Sequence, residues 1–168
     1  MSTTTDSGTG DLKSRLPDPL QYFPEMVEVN KSLAKATHNG SVDALTIALV
    51  QLRAGQVAGS TYHTVRQTEL LRKAGASDEQ VAALPSWRDA PYFSAAQRVA
   101  LELVEAVLAP QPAGQRVGDE LFARAAACYD DKALWTLTLV ISQICFFVPV
   151  AAIAKPIPGR PVGRNYSA

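Results

Sequence analysis

Cysteine, histidine and net charge are all scarce in this chain. Only two cysteines occur, Cys128 and Cys145, far apart and each within an apolar segment, which argues against a disulfide-stapled secreted scaffold. Both are expected to be buried free thiols. The two histidines, His38 and His63, have no carboxylate or thiol at ligand spacing, so neither a metal site nor a cofactor is expected. Sixteen basic side chains balance sixteen acidic ones, leaving no electrostatic footprint for nucleic acid or an anionic membrane. Strand signals are missing as well, with neither alternating runs nor hairpin dipeptides. The opening MSTTTDSGTGDLKSR lacks the apolar stretch of a secretory signal, and residues 1–15 read as a flexible polar tail of a cytoplasmic protein.

What is present is apolar and helical. Apolar residues make up 47% of 168 residues, enough for one domain, taken as residues 16–168, with a substantial core. Three prolines within LPDPLQYFP delay the first helix to about Pro24, and His38-Asn39-Gly40 closes it, with Gly40 available for a left-handed turn and His38 at a surface terminus. Ser41 is placed to cap the next helix, in which Leu45, Ala48, Leu49 and Leu52 repeat at helical spacing. Ser60 is placed to cap a third helix that Gly75 stops. Ser77 with Gln80, and Ser94 with Gln97, are capping boxes. The helix after Ser94 carries a stripe of Ala96, Ala100, Leu103, Val104 and Val107, and it stops before Pro110-Gln111-Pro112. A further helix covers Gly118 to about Tyr129, and Asp130 or Asp131 opens the last one. The pattern predicts an all-α bundle of about six or seven helices.

Residues 133–154 run without a charge and are long enough to span a bilayer. Gln143, Ser142, two threonines and Pro149 within the run, and the lack of a second such segment, favour instead a core helix kinked near Pro149. Its remaining apolar surface would be covered by neighbouring subunits.

The stretch from Leu45 to Gly75 is the expected seat of function. Ser60, His63 and Gln67 lie three and four apart, so they share one inward face of the third helix. His63 has the one side chain there that titrates near neutrality and is the expected general acid or base. Ser60 one turn earlier and Gln67 one turn later complete the expected catalytic set, with Tyr62 and Gln56 as substrate contacts. The alternative is structural: Ser60 as a plain N-cap, His63 as a satisfied interior histidine, and Gln67 bonded across an interface. Glu69 with Arg66, Arg72 and Lys73 reads as a solvated, ion-paired face.

LRAGQVAG leading into a helix, Ala74-Gly75-Ala76, and LPSWRDAPYFSAAQRVALELVEAV together resemble the AhpD-like alkylhydroperoxidases and carboxymuconolactone decarboxylases. The resemblance runs from about Leu45 to Val107, with Trp87 and Asp89 in its most specific part. It implies an AhpD-like helical bundle assembling as dimers, trimers or hexamers. The redox branch carries a Cys-x-x-Cys pair, a histidine and a glutamate at positions held here by Ser60, His63, Gln67 and Ala48. Without a thiolate, cysteine peroxidase chemistry and disulfide cycling are not expected. The decarboxylase branch places its histidine where Gln67 stands. What remains is a cofactor-free enzyme acting on a small carbonyl, lactone or keto-acid by acid-base chemistry, or a non-catalytic relative that binds a small ligand or a partner protein.

Overall fold

Helix caps divide the chain into its elements much as the turn residues dictate. The computed structural model describes residues 12–109 and 114–167. Seven α-helices occur among them: α1 Met26–Thr37, α2 Ala44–Val57, α3 Thr61–Lys73, α4 Asp78–Ala83, α5 Ala95–Leu108, α6 Asp119–Cys128 and α7 Asp131–Ala154. No strand occurs among the described residues. Both capping boxes form, each serine hydroxyl accepting from the backbone of its glutamine partner while the glutamine side chain reaches back. Asp130 caps α7 by accepting from the Ala133 amide at 2.8 Å.

Two caps differ from expectation. Asp43, not Ser41, caps α2, because a carboxylate directly before the first turn reaches both the Thr46 amide at 2.8 Å and its hydroxyl at 2.7 Å. Ser41 is left to meet the Thr136 hydroxyl of α7 at 2.8 Å. Ser60 occupies the N-cap position of α3, yet its hydroxyl makes no capping bond.

Helix α2 lies at the centre, packed against α3, α5 and α7, and this explains why it is buried on every side from Thr46 to Leu52. One core cluster joins Ile47, Val50, Ala54, Val104, Leu137, Val140 and Ile144. The other joins Ala48, Leu49, Leu52, Leu71, Leu84, Trp87 and Phe93. The expected stripe on α5 is rotated slightly. Val99 and Leu101 join Ala100 and Val104 inside while Ala96, Leu103 and Val107 are half-buried, because α2 and α6 cover different sides of that helix.

Helix α7 is long and apolar but buried on only one face, with Trp135 68% and Ile153 64% exposed. Among the described residues it is the one helix long and apolar enough to cross a membrane, and Pro149 stands inside it without ending it. Cysteine burial is the clearest correction. Cys128 is exposed because it is the last residue of α6, beyond Leu121 and Ala125 which seat that helix, and Cys145 is only half-buried on α7.

Of the expected tail, residues 1–15, the first eleven lie outside the described residues, and so does Pro110-Gln111-Pro112. Residues 14–16, by contrast, are tied down. The Arg15 amide donates to the Ala154 carbonyl at 2.8 Å, and Ser14 and Ser167 exchange hydrogen bonds of 2.9 and 2.8 Å.

Candidate functional site

Glycine makes the site possible. Helices α2 and α3 meet at Gly59, whose φ of +64° turns the chain back, and Gly55 then faces the start of α3. A Cβ on Gly55 would stand 2.9 Å from the His63 Cβ and 3.3 Å from its carbonyl carbon, so only glycine lets the two backbones approach this closely.

That approach buries the polar face of α3. His63 is 4% exposed and Gln67 6%, so the inward orientation expected from their spacing holds. The Ser60 hydroxyl, free of capping duty, lies 2.8 Å from His63 Nδ1. No other hydrogen bond reaches the imidazole among the described residues. Burial, followed by the nearby positive charge of Arg66, holds the His63 pKa below its ordinary 6.5, so the ring is neutral at pH 7 and able to accept a proton. Tyr62 meets the His63 ring edge-on at 5.5 Å, and its hydroxyl accepts from Asn165 Nδ2 at 2.9 Å. Gln67 Oε1 is buried without a hydrogen-bond partner, an arrangement that costs about 1–3 kcal/mol wherever no water or ligand supplies one.

A cavity of about 480 Å³ opens over the start of α3. Ser60 and Tyr62 line it, together with Gly59, the C-terminal part of α7 and the two terminal segments. His63 lies behind Ser60 and does not line it. Gln67, roughly 6 Å further along the helix axis, does not line it either. Gln56, expected as a substrate contact, also stands away from the cavity and accepts from Arg53 Nη1 at 3.2 Å. Ala48, where the redox branch has its glutamate, is packed in the core with Leu49, Leu52 and Leu71. Glu69 pairs with Lys73 at 2.7 Å on the solvent face, and His38 sits exposed at the end of α1. No group of three potential metal ligands occurs among the described residues.

Sequence reasoning missed a second polar cluster. Glu105 Oε1 on α5 accepts from Trp87 Nε1 at 2.7 Å and from Arg53 Nε and Nη2 at 2.8 and 2.6 Å, while Oε2 accepts from Arg88. Burial pushes the Glu105 pKa upward, and these donors more than offset that, holding the carboxyl below its usual range. Arg98 binds the carbonyls of Trp87, Arg88, Ala90 and Phe93, so the Trp87–Phe93 loop is held from two sides. The apolar spacing of α5 gave no sign of Glu105, whose partners lie 18 and 52 positions away.

Residues 24–106 match the profile of the Carboxymuconolactone decarboxylase family. The uncharacterized protein YdfG of Bacillus subtilis is 30% identical over 125 residues, covering 74% of this chain and 83% of that one. The uncharacterized protein YnjA of Escherichia coli is 33% identical over 101 residues, 60% of this chain and 53% of that one. Among solved structures, a protein of unknown function from Agrobacterium tumefaciens, provisionally assigned to antioxidant defence as AhpD, superposes with a TM-score of 0.77 at 21% identity. It spans 89% of this chain and all of the other. The debrominase Bmp8, in a cysteine-to-alanine variant holding 2,3,4-tribromopyrrole, superposes with a TM-score of 0.72 at 16% identity, over 83% of this chain and 75% of that one. Both share the AhpD-like fold.

Proposed function

Because the chain belongs to the carboxymuconolactone decarboxylase family, we propose that it is a cofactor-free, non-redox enzyme of the cytoplasm in which the Ser60–His63 pair moves a proton on a small carbonyl, lactone or keto-acid. The reaction class is decarboxylation, isomerisation or cyclisation. The observation that carries this reading is the 2.8 Å contact between Ser60 Oγ and His63 Nδ1 beneath a cavity of about 480 Å³. A neutral imidazole accepts the serine proton at Nδ1 as Ser60 Oγ takes the proton from the substrate carbon next to its carbonyl. An enolate and an imidazolium result, and the reverse transfer returns the proton. Burial of His63 disfavours the imidazolium, which favours prompt return of that proton. That a protein of the same fold, Bmp8, holds a small aromatic molecule supports the fold's capacity for such a ligand.

Serine and histidine at the two cysteine positions, and Cys128 and Cys145 on other helices, support the expectation that peroxide reduction and disulfide cycling are absent. A coupled peroxide assay that gives turnover, lost on substitution of either cysteine, would overturn this. The exposed apolar face of α7, with Trp135, Phe146 and Ile153, supports a homo-oligomer as the working state. Light scattering that finds a stable monomer would remove that assignment.

The test of the chemistry is turnover of a panel of small keto-acids and lactones, in which His63→Ala lowers the rate about a hundredfold or more. Unchanged kinetics with the fold intact would favour the second reading, a non-catalytic relative that binds a ligand or a partner protein. That reading draws support from one observation, that neither His63 nor Gln67 lines the cavity.

A further inference from the structure

We infer that Tyr62 is the hydrogen-bond donor to the enolate oxygen in the cavity over Ser60, and that Asn165 of the C-terminal segment fixes the direction of that donation. The inference rests on the enolate chemistry proposed for Ser60 and His63, and it supplies what that pair lacks. Once Ser60 Oγ has taken the proton from carbon, the electron pair left behind moves onto the carbonyl oxygen, and a donor held ready for that oxygen lowers the barrier.

Hydrogen-bond polarity follows from the partners of Asn165. A backbone N–H can only donate, so the side-chain atom 3.1 Å from the Gly163 amide is the oxygen, and the atom 2.9 Å from the Tyr62 hydroxyl is the amide nitrogen. That nitrogen can only donate. The Tyr62 oxygen therefore accepts from Asn165, and its own proton is turned away from Asn165 and meets no acceptor among the described residues. Tyr62 lines the cavity, so a ligand oxygen there can take that hydrogen bond. Accepting one hydrogen bond also strengthens the one that a hydroxyl donates.

The C-terminal segment holds Asn165 in place. It is buried, its carbonyl accepts from the Ile157 amide at 2.6 Å, and Gly163 reaches its side chain through a turn at φ +86°, a conformation that favours glycine. Two hydrogen bonds between Ser14 and Ser167 tie the segment down just beyond it. Tyr62 in turn adjoins His63 in the first turn of α3 and meets its ring edge-on, so the donor and the proton-transfer pair belong to one rigid unit. Tyr62 keeps its proton throughout. Asn165 touches no reacting atom and acts as a positioning residue.

The test is calorimetric titration of the full chain with 4-nitrophenolate, a stable anion whose oxygen carries delocalised charge as an enolate oxygen does. Y62F should bind it about tenfold or more weakly, the loss expected of one charge-assisted hydrogen bond. N165D should weaken binding at least as much, because its carboxylate still accepts from Gly163 but now also accepts the Tyr62 proton, which keeps the anchorage and reverses the direction. An Asn165 that only anchors the segment would leave N165D unchanged. In the Y62F background, N165D should cost about twofold or less, since the donor it diverts is already gone. Equal losses in both backgrounds would assign the effect to the added charge and overturn the inference. Unchanged binding in Y62F, unchanged binding in N165D, or no saturable binding by the unsubstituted chain would overturn it too, and Y62F decides alone should N165D fail to fold. Because this readout needs no turnover, Tyr62-dependent binding without keto-acid turnover counts against the enzymatic reading alone. Turnover that requires Ser60 and His63 yet survives Y62F and N165D counts against this inference alone.

Discussion

Two polar clusters flank α2, and they differ in what they leave unsatisfied. Around Glu105, Trp87 and Arg53 find their acceptor within the protein, and Arg98 occupies the carbonyls of the adjoining loop. Around His63, the imidazole has one partner and the Gln67 carbonyl oxygen has none, although both side chains are buried more deeply than Glu105. A satisfied network rigidifies, whereas a buried group without a partner costs stability that some other advantage must offset. Glu105 therefore belongs to the scaffold, whereas the polar face of α3 holds hydrogen-bonding capacity that the protein's own groups leave unused.

Removing Glu105 should have the largest effect on stability. Glu105→Ala leaves the Trp87 indole without an acceptor and Arg53, whose side chain is 17% exposed, without its carboxylate partner and with only the Gln56 contact, at a cost on the order of 3 kcal/mol. Arg88, 59% exposed, adds little to that loss. Urea denaturation measures it, and a change below about 1 kcal/mol would assign the network a minor role.

Gly55→Ala should come next. The added methyl meets the His63 Cβ at 2.9 Å and backbone atoms at 3.3 Å, which cannot move without shifting α3, so about 1–3 kcal/mol is expected. The Ser60–His63 contact should loosen with it, and turnover should fall more than stability does.

Acid should act on the same cluster. The folded chain holds His63 below 6.5 while the unfolded chain does not, so on acidification the unfolded state takes the proton first. Stability contributed by His63 is full above about pH 6.5 and is lost as the pH falls through the depressed folded value. His63→Gln should flatten that part of the stability profile, and an unchanged slope would argue that another group titrates there.

Gln67→Met should have the smallest effect on stability and the most informative sign. It removes an unpartnered carbonyl oxygen at nearly constant volume, so stability should hold or rise by up to about 1 kcal/mol. A loss above about 2 kcal/mol would mean that Gln67 is satisfied in solution and belongs with Glu105.

Much of this was legible in the residues. Ser77-x-x-Gln80 and Ser94-x-x-Gln97 announce their helices because a capping box is complete within four residues, and Ser60, His63 and Gln67 share an inward face because one helical period places them there. Pairings distant in sequence left no such trace. The Arg53–Glu105 bridge spans 52 positions and the Ser14–Ser167 pair 153, so no local pattern could announce them. Residues read as a flexible tail thereby become part of a cavity wall. Cap choice was the local failure. Asp43 outcompetes Ser41 because its carboxylate is charged and stands directly at the first turn, and Ser60 yields its hydroxyl to His63.

Whether Ser60 and His63 act as one unit is the central question, and a double-mutant cycle on turnover answers it most directly. Ser60→Ala and His63→Gln should each lower the rate by about a hundredfold or more, and the double variant should be no slower than the worse single one, since either change breaks the same relay. Rates that fall additively, or single variants that keep full turnover with melting temperatures unchanged, would contradict the account.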